Sequence, residues 1–440
     1  MPSTAQKRVA IVGAGASGLV TAKTFLEAGL TDVTIYEAED GIGGLWRYRQ
    51  DAGFSVAYRN LHINTDTEIS QFRDFPFPSG VPPYAHHTDM LAYLESYAVH
   101  FGLNEYVRLS TRVECVEPQL GDGWLVTAAG SEPEAYDVVV VAAGHLNEPR
   151  WPELPGKFAG KYLHAAEYRE PIPFIDERTC IIGIGNSACD IANDLAMVAS
   201  RIVVTARTGT VIWPKFVFGY PATRLASKFQ FRAVPPIVST KIYKTVNRVI
   251  VRAMWGRMSD YGIQIPDKKT HPTSNQFFLG HVKYGRVVVK PGMTAIKGRA
   301  IRFADGTREE FDSLIAATGY TVTFPFLAEG ILDGEDTRLR LFKRVVPPRW
   351  RGLYFIGYLN LDYALNPAFE AQAQWVADVE TGRCALPAED EMLADIERRE
   401  RDLVARFLVR PRLNLEEEFF PYMAELRRLR KLGRKRRATA

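Results

Sequence analysis

The sequence predicts an α/β protein built on two dinucleotide-binding, Rossmann-like units, on three observations. The stretch Lys7 to Asp40, KRVAIVGAGASGLVTAKTFLEAGLTDVTIYEAED, runs from a short apolar strand through a Gly-rich turn into a helix of period near four, then into a second strand ending in acids. Residues 178 to 209, RTCIIGIGNSACDIANDLAMVASRIVVTARTG, repeat that βαβ pattern 170 positions later. Two acid-led apolar runs, Asp137 to Gly144 (DVVVVAAG) and Asp312 to Gly319 (DSLIAATG), bracket the second unit.

Each position of the two turns has a physical reason. Gly13 permits a tight turn, Gly15 lets backbone approach a pyrophosphate, and Gly18 allows the helix to pack closely on the strand. The helix N-terminus then presents amides and its positive dipole end to phosphates. Gly183, Gly185 and Ala188 take the same places in the second unit, where Asn186 and Ser187 can add polar contacts. The strand ends separate the ligands. Counted 24 residues from the first glycine, Glu37 ends the first unit and Arg207 the second. A carboxylate suits the ribose hydroxyls of an unphosphorylated adenosine, and a guanidinium suits a 2′-phosphate. The pair argues for FAD at the first site and NADPH at the second.

The acid-led runs read as crossing strands between two domains. The layout expected is an FAD-binding domain in two parts, residues 1–145 and 320–425, with an NADPH-binding domain, residues 146–319, inserted between them in a glutathione-reductase-like arrangement. Residues 210–275 read as a helical insertion. Within it Val238 to Met258 places Lys241, Lys244, Arg248 and Arg252 among Ile242, Val246, Val249, Ile250 and Trp255, the pattern of a basic amphipathic helix. It would cap a substrate channel, touch an anionic surface, or cover the domain with a solvated face.

Composition removes other classes. At 440 residues with 46% apolar and 24% charged side chains the chain is globular and large enough for several cores. Cys115, Cys180, Cys189 and Cys384 form no C-x-x-C pair, so no disulfide scaffold, zinc site or redox pair is indicated, and a reduced cytoplasmic setting fits. His86 and His87 lack ligand spacing to other metal-binding residues, and no metal is expected. No run of eighteen apolar residues appears, and no nucleic-acid partner is indicated.

Further motifs resemble one family throughout. Phe158-Ala-Gly160-Lys-Tyr-Leu-His164-Ala-Ala-Glu-Tyr168 matches the F-x-G-x-x-x-H-x-x-x-Y fingerprint of the flavin-containing monooxygenases, placed just before the second Gly-rich turn. Gly41-Ile-Gly-Gly-Leu-Trp46, Asn64-Thr65 followed by Asp74-Phe-Pro-Phe-Pro78, Gly183-Ile-Gly-Asn-Ser187 and Ala317-Thr-Gly-Tyr320 are similar to that family's segments in the same order. The sister Baeyer–Villiger monooxygenases carry tryptophan, followed by proline or aspartate, where Tyr168 is followed here by Arg169.

The resemblance implies an NADPH- and O2-dependent monooxygenase. NADPH would reduce FAD, dioxygen would add to give a C4a-hydroperoxide, and the distal oxygen would pass to a small nucleophile, an amine nitrogen or a sulfur, as in N,N-dimethylaniline monooxygenase activity. The cofactor then carries the hard chemistry, and the absence of G-x-S-x-G or H-E-x-x-H motifs is expected. Asn64 matches the family's active-site asparagine, whose amide offers donor and acceptor together. Thr65, Gly43, Gly44, Leu45, Trp46, Thr318 and Gly319 are the further residues expected near cofactor, while His164 and Tyr168 fit orienting or hinge roles.

Two alternatives stay open: ketone oxygenation, which uses an active-site arginine that the sequence does not place, and an NADPH-dependent flavoprotein reductase or oxidase. A homodimer is compatible with the sequence. The net charge of +4 is local, because Arg427, Arg428, Arg430, Lys431, Arg434, Lys435, Arg436 and Arg437 supply eight positive charges and the rest of the chain carries −4. Residues 426–440 thus read as a solvated, mobile basic tail, a candidate for peripheral contact with anionic lipid.

Overall fold

The computed structural model describes residues 7–50, 55–228, 245, 248–332, 339–410 and 413–439. Its framework follows from the two βαβ units. In the first, β1 (Arg8–Val12) leads through the Gly-rich turn into α1 (Ala16–Ala28) and back into β2 (Asp32–Tyr36), with β1 and β2 parallel and Val9 opposite Val33. Beyond β2 lies β3 (Val107–Arg108), and on the other side of β1 lie β4 (Val138–Val141) and the late strand at Leu353–Phe355, all parallel. The second unit builds a separate sheet: β5 (Lys161–His164), β6 (Arg178–Ile182), β7 (Arg201–Ala206), β8 (Val287–Pro291) and β9 (Ser313–Ala316), in the order β8-β7-β6-β9-β5. The helix between β6 and β7 is α2 (Asn186–Leu195). Helices cover one face of each parallel sheet and a three-stranded antiparallel sheet covers the other, so β4, a run of four valines, is fully buried on both sides.

The two acid-led runs are not crossing strands. Each is a central strand, β4 beside β1 and β9 beside β6, because a run buried on both faces belongs in the middle of a sheet. The crossing is made just after them. Glu148–Pro149 pairs antiparallel with Tyr320–Thr321, and Asn147 Nδ2 donates to the Thr323 carbonyl at 2.6 Å.

The 210–275 segment is less purely helical than its composition suggests. Short strands pair Ile212–Trp213 with Thr273–Ser274 and Phe216–Val217 with Tyr220–Pro221 before α3 (Ala222–Lys228). Residues 248–255 are helical, with Val251 buried and Val249 exposed. Lys241, Ile242, Lys244 and Val246 of the expected basic helix lie outside the described residues. None of the helices among the described residues is long and apolar enough to cross a membrane.

The basic tail is a docked helix. After α4 (Asn366–Glu380) and α5 (Glu389–Arg406), the chain ends in α6 (Phe419–Thr439), which packs on α4. Buried Tyr422 and Leu426 anchor its first turns, and the Tyr422 hydroxyl donates to the Lys343 carbonyl at 2.8 Å. Two of the arginines read as tail charges turn inward: Arg430 and Arg434 bond buried Asp378 at 2.8 and 3.1 Å. Arg436 pairs with Glu391 on α5 at 2.7 Å. Composition alone read a charge run as solvated, and partners more than forty residues away in sequence overrule it.

Replacing Arg430 and Arg434 together by Ala leaves the Asp378 carboxylate buried without a cation, at a cost of about 1–3 kcal/mol. The urea midpoint should fall accordingly, and an unchanged midpoint contradicts a docked α6.

Candidate active site

In open parallel sheets, ligands bind outside the carboxyl ends of the strands. Here the carboxyl ends of β1 and β6 open into one continuous cleft of about 2970 Å³. Pockets for one small ligand run about 300–1,000 Å³, so the cleft has room for more than one. Both Gly-rich turns line it. The backbone at Gly13 has φ +109°, a left-handed conformation glycine adopts freely, and a Cβ there would lie 2.7 Å from the Ala142 carbonyl oxygen. Gly183 matches it in the second turn at φ +118°. Gly18 faces inward instead, where a Cβ would lie 1.9 Å from the Gly13 oxygen, so its place is helix-on-strand packing.

Both following helices begin without a cap. Gly15 and Gly185 are the N-cap residues of α1 and α2, neither has a side-chain cap bond, and no acid stands in either first turn. The first amides of each helix and the positive dipole end are thus turned to the cleft without a side-chain acceptor. Gly44 crosses the first turn so closely that a Cβ on it would lie 3.1 Å from the Gly15 Cα. Leu45 is exposed to the cleft, and half-buried Trp46 packs with Ile63, Tyr84 and Met90.

Glu37 lines the cleft at the end of β2. Its carboxylate accepts from Ala14 N–H at 2.8 Å and Glu39 N–H at 3.0 Å, and burial raises its carboxyl above the usual carboxylate range. It braces the turn while facing the cleft. Arg207 lines the cleft, exposed, its Cγ over Gly292. Arg150 and Arg410 line the same cleft: Arg150 Nη2 donates to the Thr318 carbonyl at 2.6 Å and Arg410 Nη2 to Thr208 Oγ1 at 2.8 Å. Burial, with the Arg207 charge as second cause, holds Arg150 below its ordinary value. A site with that balance fits an anion.

Asn64 lies on a loop after β2 and lines the same cleft. Its Oδ1 is buried and has no hydrogen-bond partner among the described residues. Buried amides are almost always satisfied, so an orphaned acceptor lining a cleft marks a place where a ligand completes the bonding. Thr65 turns toward Ser70, Oγ to Oγ at 2.8 Å, and lines the cleft too. Asn186 spends its Oδ1 on Ser274 N–H at 2.9 Å, next to Ser187 at the head of α2. Gly319 accepts from Arg150 N–H and faces His164 Nε2 at 3.1 Å, and Thr318 donates to the Arg150 carbonyl at 2.5 Å. Buried Tyr168 stands outside the cleft lining and donates to Asp194 at 3.2 Å. Among the described residues, no group of three or more His, Cys, Asp or Glu side chains could hold a metal ion.

Several residues around the Asn64 loop escaped the sequence reading. Asp190 accepts from the Tyr58 hydroxyl at 2.6 Å and Asp194 from Asn60 at 3.1 Å. Lys215 donates to the Ile63 carbonyl at 3.0 Å. Arg224 of α3 grips buried Asp66 at 2.9 and 3.0 Å and Glu68 at 2.9 Å. The only advance signal was the i,i+4 spacing of Asp190 and Asp194 on one helix face, which reads equally as solvated.

Burial pushes the Asp194 carboxyl up to about 6 from 3.8. A raised folded value favours the protonated form, so this group's stabilisation is present below the unfolded value and lost as pH rises through the folded one. Asp194→Asn should therefore raise Tm above about pH 7 and leave it unchanged below about pH 4. Equal melting shifts at both pH values contradict this environment.

Comparison with known proteins gives the family. The family model described as flavin-binding monooxygenase-like matches residues 6–435. Mouse dimethylaniline monooxygenase [N-oxide-forming] 2 is 33% identical over 96% of this chain and 82% of its own length. Human flavin-containing monooxygenase 1 is 32% identical over the same shares. Among solved structures, S-allyl-L-cysteine S-oxygenase from Allium sativum superposes with a TM-score of 0.73 at 27% identity, covering 98% of this chain and 92% of that one. Cyclohexanone monooxygenase shares the fold, with a TM-score of 0.70 at 18% identity, covering 98% of both chains. With two uncapped helix N-termini on one cleft and an orphaned Asn64 lining it, the chain belongs to the flavin-binding monooxygenase-like family, oxidoreductases that work with FAD and NADPH.

Proposed function

We propose that the chain transfers one oxygen atom from dioxygen to a soft nucleophile, an amine nitrogen or a sulfur, of a small organic substrate. The observation that carries the reading is the buried, unpartnered Asn64 Oδ1 on a cleft shared by both nucleotide turns. Relatives named for N-oxide formation and for S-oxygenation support the substrate class. Likeness to cyclohexanone monooxygenase at 18% identity carries the fold and not the substrate. Arg224, near the Asn64 loop, is engaged by Asp66 and Glu68, which gives the ketone reading no support.

FAD would lie along the α1 N-terminus, with Gly13, Gly15 and Gly44 leaving room for its pyrophosphate and Glu37 facing its ribose. NADPH would take the α2 N-terminus, with Gly183, Gly185, Asn186 and Ser187 at the pyrophosphate and Arg207 at the 2′-phosphate. When bound, FAD accepts hydride from NADPH and activates dioxygen for transfer of one oxygen atom. The protein's share is orientation and exclusion of water. The Asn64 amide holds polar groups in place as donor and acceptor without changing charge. Thr318 and Gly319 close the second nucleotide's side of the cleft, and Leu45 and Trp46 keep the first side dry. The outward charges of α6, among them Arg428, Lys431 and Arg437, are the surface that would meet anionic lipid.

Asn64→Ala should leave NADPH consumption running while peroxide replaces oxygenated product; unchanged coupling would remove Asn64 from the chemistry. Arg207→Ala should weaken NADPH binding about 10- to 100-fold, the worth of a charge-assisted contact, with NADH little affected. Titration of both nucleotides decides it, and an equal loss for both sinks the 2′-phosphate assignment.

A further inference from the structure

Asn64 belongs by sequence to the segment after β2, yet much of what holds its loop comes from residues 186–228. On one side backbone at residues 85–87 holds the loop: Ile63 N–H donates to the Ala85 carbonyl at 2.9 Å and His87 N–H to the Leu61 carbonyl at 2.9 Å. From the other side, five side chains engage it in succession. The Tyr58 hydroxyl reaches Asp190 at 2.6 Å, and Asn60 reaches Asp194 one helical turn further along α2. Lys215 Nζ takes the Ile63 carbonyl at 3.0 Å. Asp66 N–H donates to Thr223 Oγ1 at 3.1 Å, and Arg224 holds the Asp66 carboxylate.

The Lys215 bond has the most direct geometric consequence. The Ile63 carbonyl and the Asn64 N–H belong to one planar peptide unit. An ammonium on that oxygen and the Ala85 bond on the preceding N–H fix the plane entering Asn64, and with it the direction in which the Asn64 side chain leaves the backbone. Lys215 is itself held: the Tyr84 hydroxyl donates to its carbonyl, and its Nζ lies 5.2 Å over the Tyr84 ring. Asp190 supplies the opposing charge and also receives Asn275 Nδ2 at 2.8 Å, so it cannot turn away from Tyr58 without leaving two donors unmet. Tyr58 and Tyr84 line the cleft, whereas Lys215, Asp190 and Asn275 do not, so the influence of those three runs through the loop.

We infer that Lys215, through the Ile63 carbonyl, and Asp190, through the Tyr58 hydroxyl, are positioning residues that set the orientation of Asn64 from the NADPH side of the molecule. The inference rests on the proposed role of Asn64. It follows that the second nucleotide's helix and the residue nearest the chemistry form one mechanical unit.

The experiment uses FAD-loaded full-length enzyme with NADPH and air and no added substrate, and measures peroxide released per FAD, alongside anaerobic flavin reduction by NADPH. Lys215→Met should raise peroxide release about tenfold, the equivalent of one charge-assisted hydrogen bond, without slowing flavin reduction. Tyr58→Phe removes one oxygen atom only and should act in the same direction, so a poorly folding Lys215→Met leaves the question answerable. Asn64→Ala should raise release as well, and adding Lys215→Met or Tyr58→Phe to it should bring no further increase, because both act through Asn64. Full additivity in that double variant overturns the inference, as does wild-type release from both single variants while Asn64→Ala leaks. If Asn64→Ala itself releases no more peroxide than wild type, the reading of Asn64 has failed first.

Discussion

Everything in this molecule is arranged around two helix N-termini that the chain leaves uncapped. A helix start normally borrows an oxygen from Ser, Thr, Asp or Asn to satisfy its first amides. α1 and α2 each have glycine there, no side-chain cap and no acid in the first turn, and both open on the same cleft. Such ends are anion sites by construction. The parallel sheets exist to aim them, the glycines to let backbone pass, and the crossing at Glu148–Pro149 and Tyr320–Thr321 to keep the two aims on one space. Without a phosphate these amides would be a cost; with the two dinucleotides placed as proposed they would contribute binding energy.

Much of that plan was legible in the chain. Local patterns carry it: the strand–glycine–helix order, the 24-residue offset to Glu37 and Arg207, and the four-valine strand are each readable within a few dozen residues. Asn64 was reached by family likeness, and its orphaned Oδ1 then gave the residue an independent physical reason. What stayed hidden depends on distance in sequence. Asp190 and Tyr58 are 132 residues apart, Arg224 and Asp66 158, and no local signal pairs them. The acid-led apolar runs misled for a related reason, since burial on both faces makes a central strand and a crossing strand read alike. The basic tail misled because charge composition says nothing of where the acids are: Asp378 and Glu391 lie on other helices, and they turn a charged run into a docked one.

The loop bearing Asn64 shows how the two halves become one site. It is bonded by carboxylates of α2 and by Lys215 Nζ, from residues 186–228, and by backbone at residues 85–87. A residue that offers only an amide has little chemistry of its own, and in the role proposed for Asn64 its worth would lie in being held where bonds can be completed. On the proposed reading, support from residues 186–228 is part of the site, as much as the groups that line it.

Oxygen-isotope labelling tests the account most directly. Under 18O2, with NADPH and FAD-loaded enzyme, amine and sulfide probes should yield an N-oxide or S-oxide carrying one labelled oxygen atom, and water should supply none of it. NADPH consumption matched by peroxide alone, with every amine and sulfide probe recovered unlabelled, would contradict it.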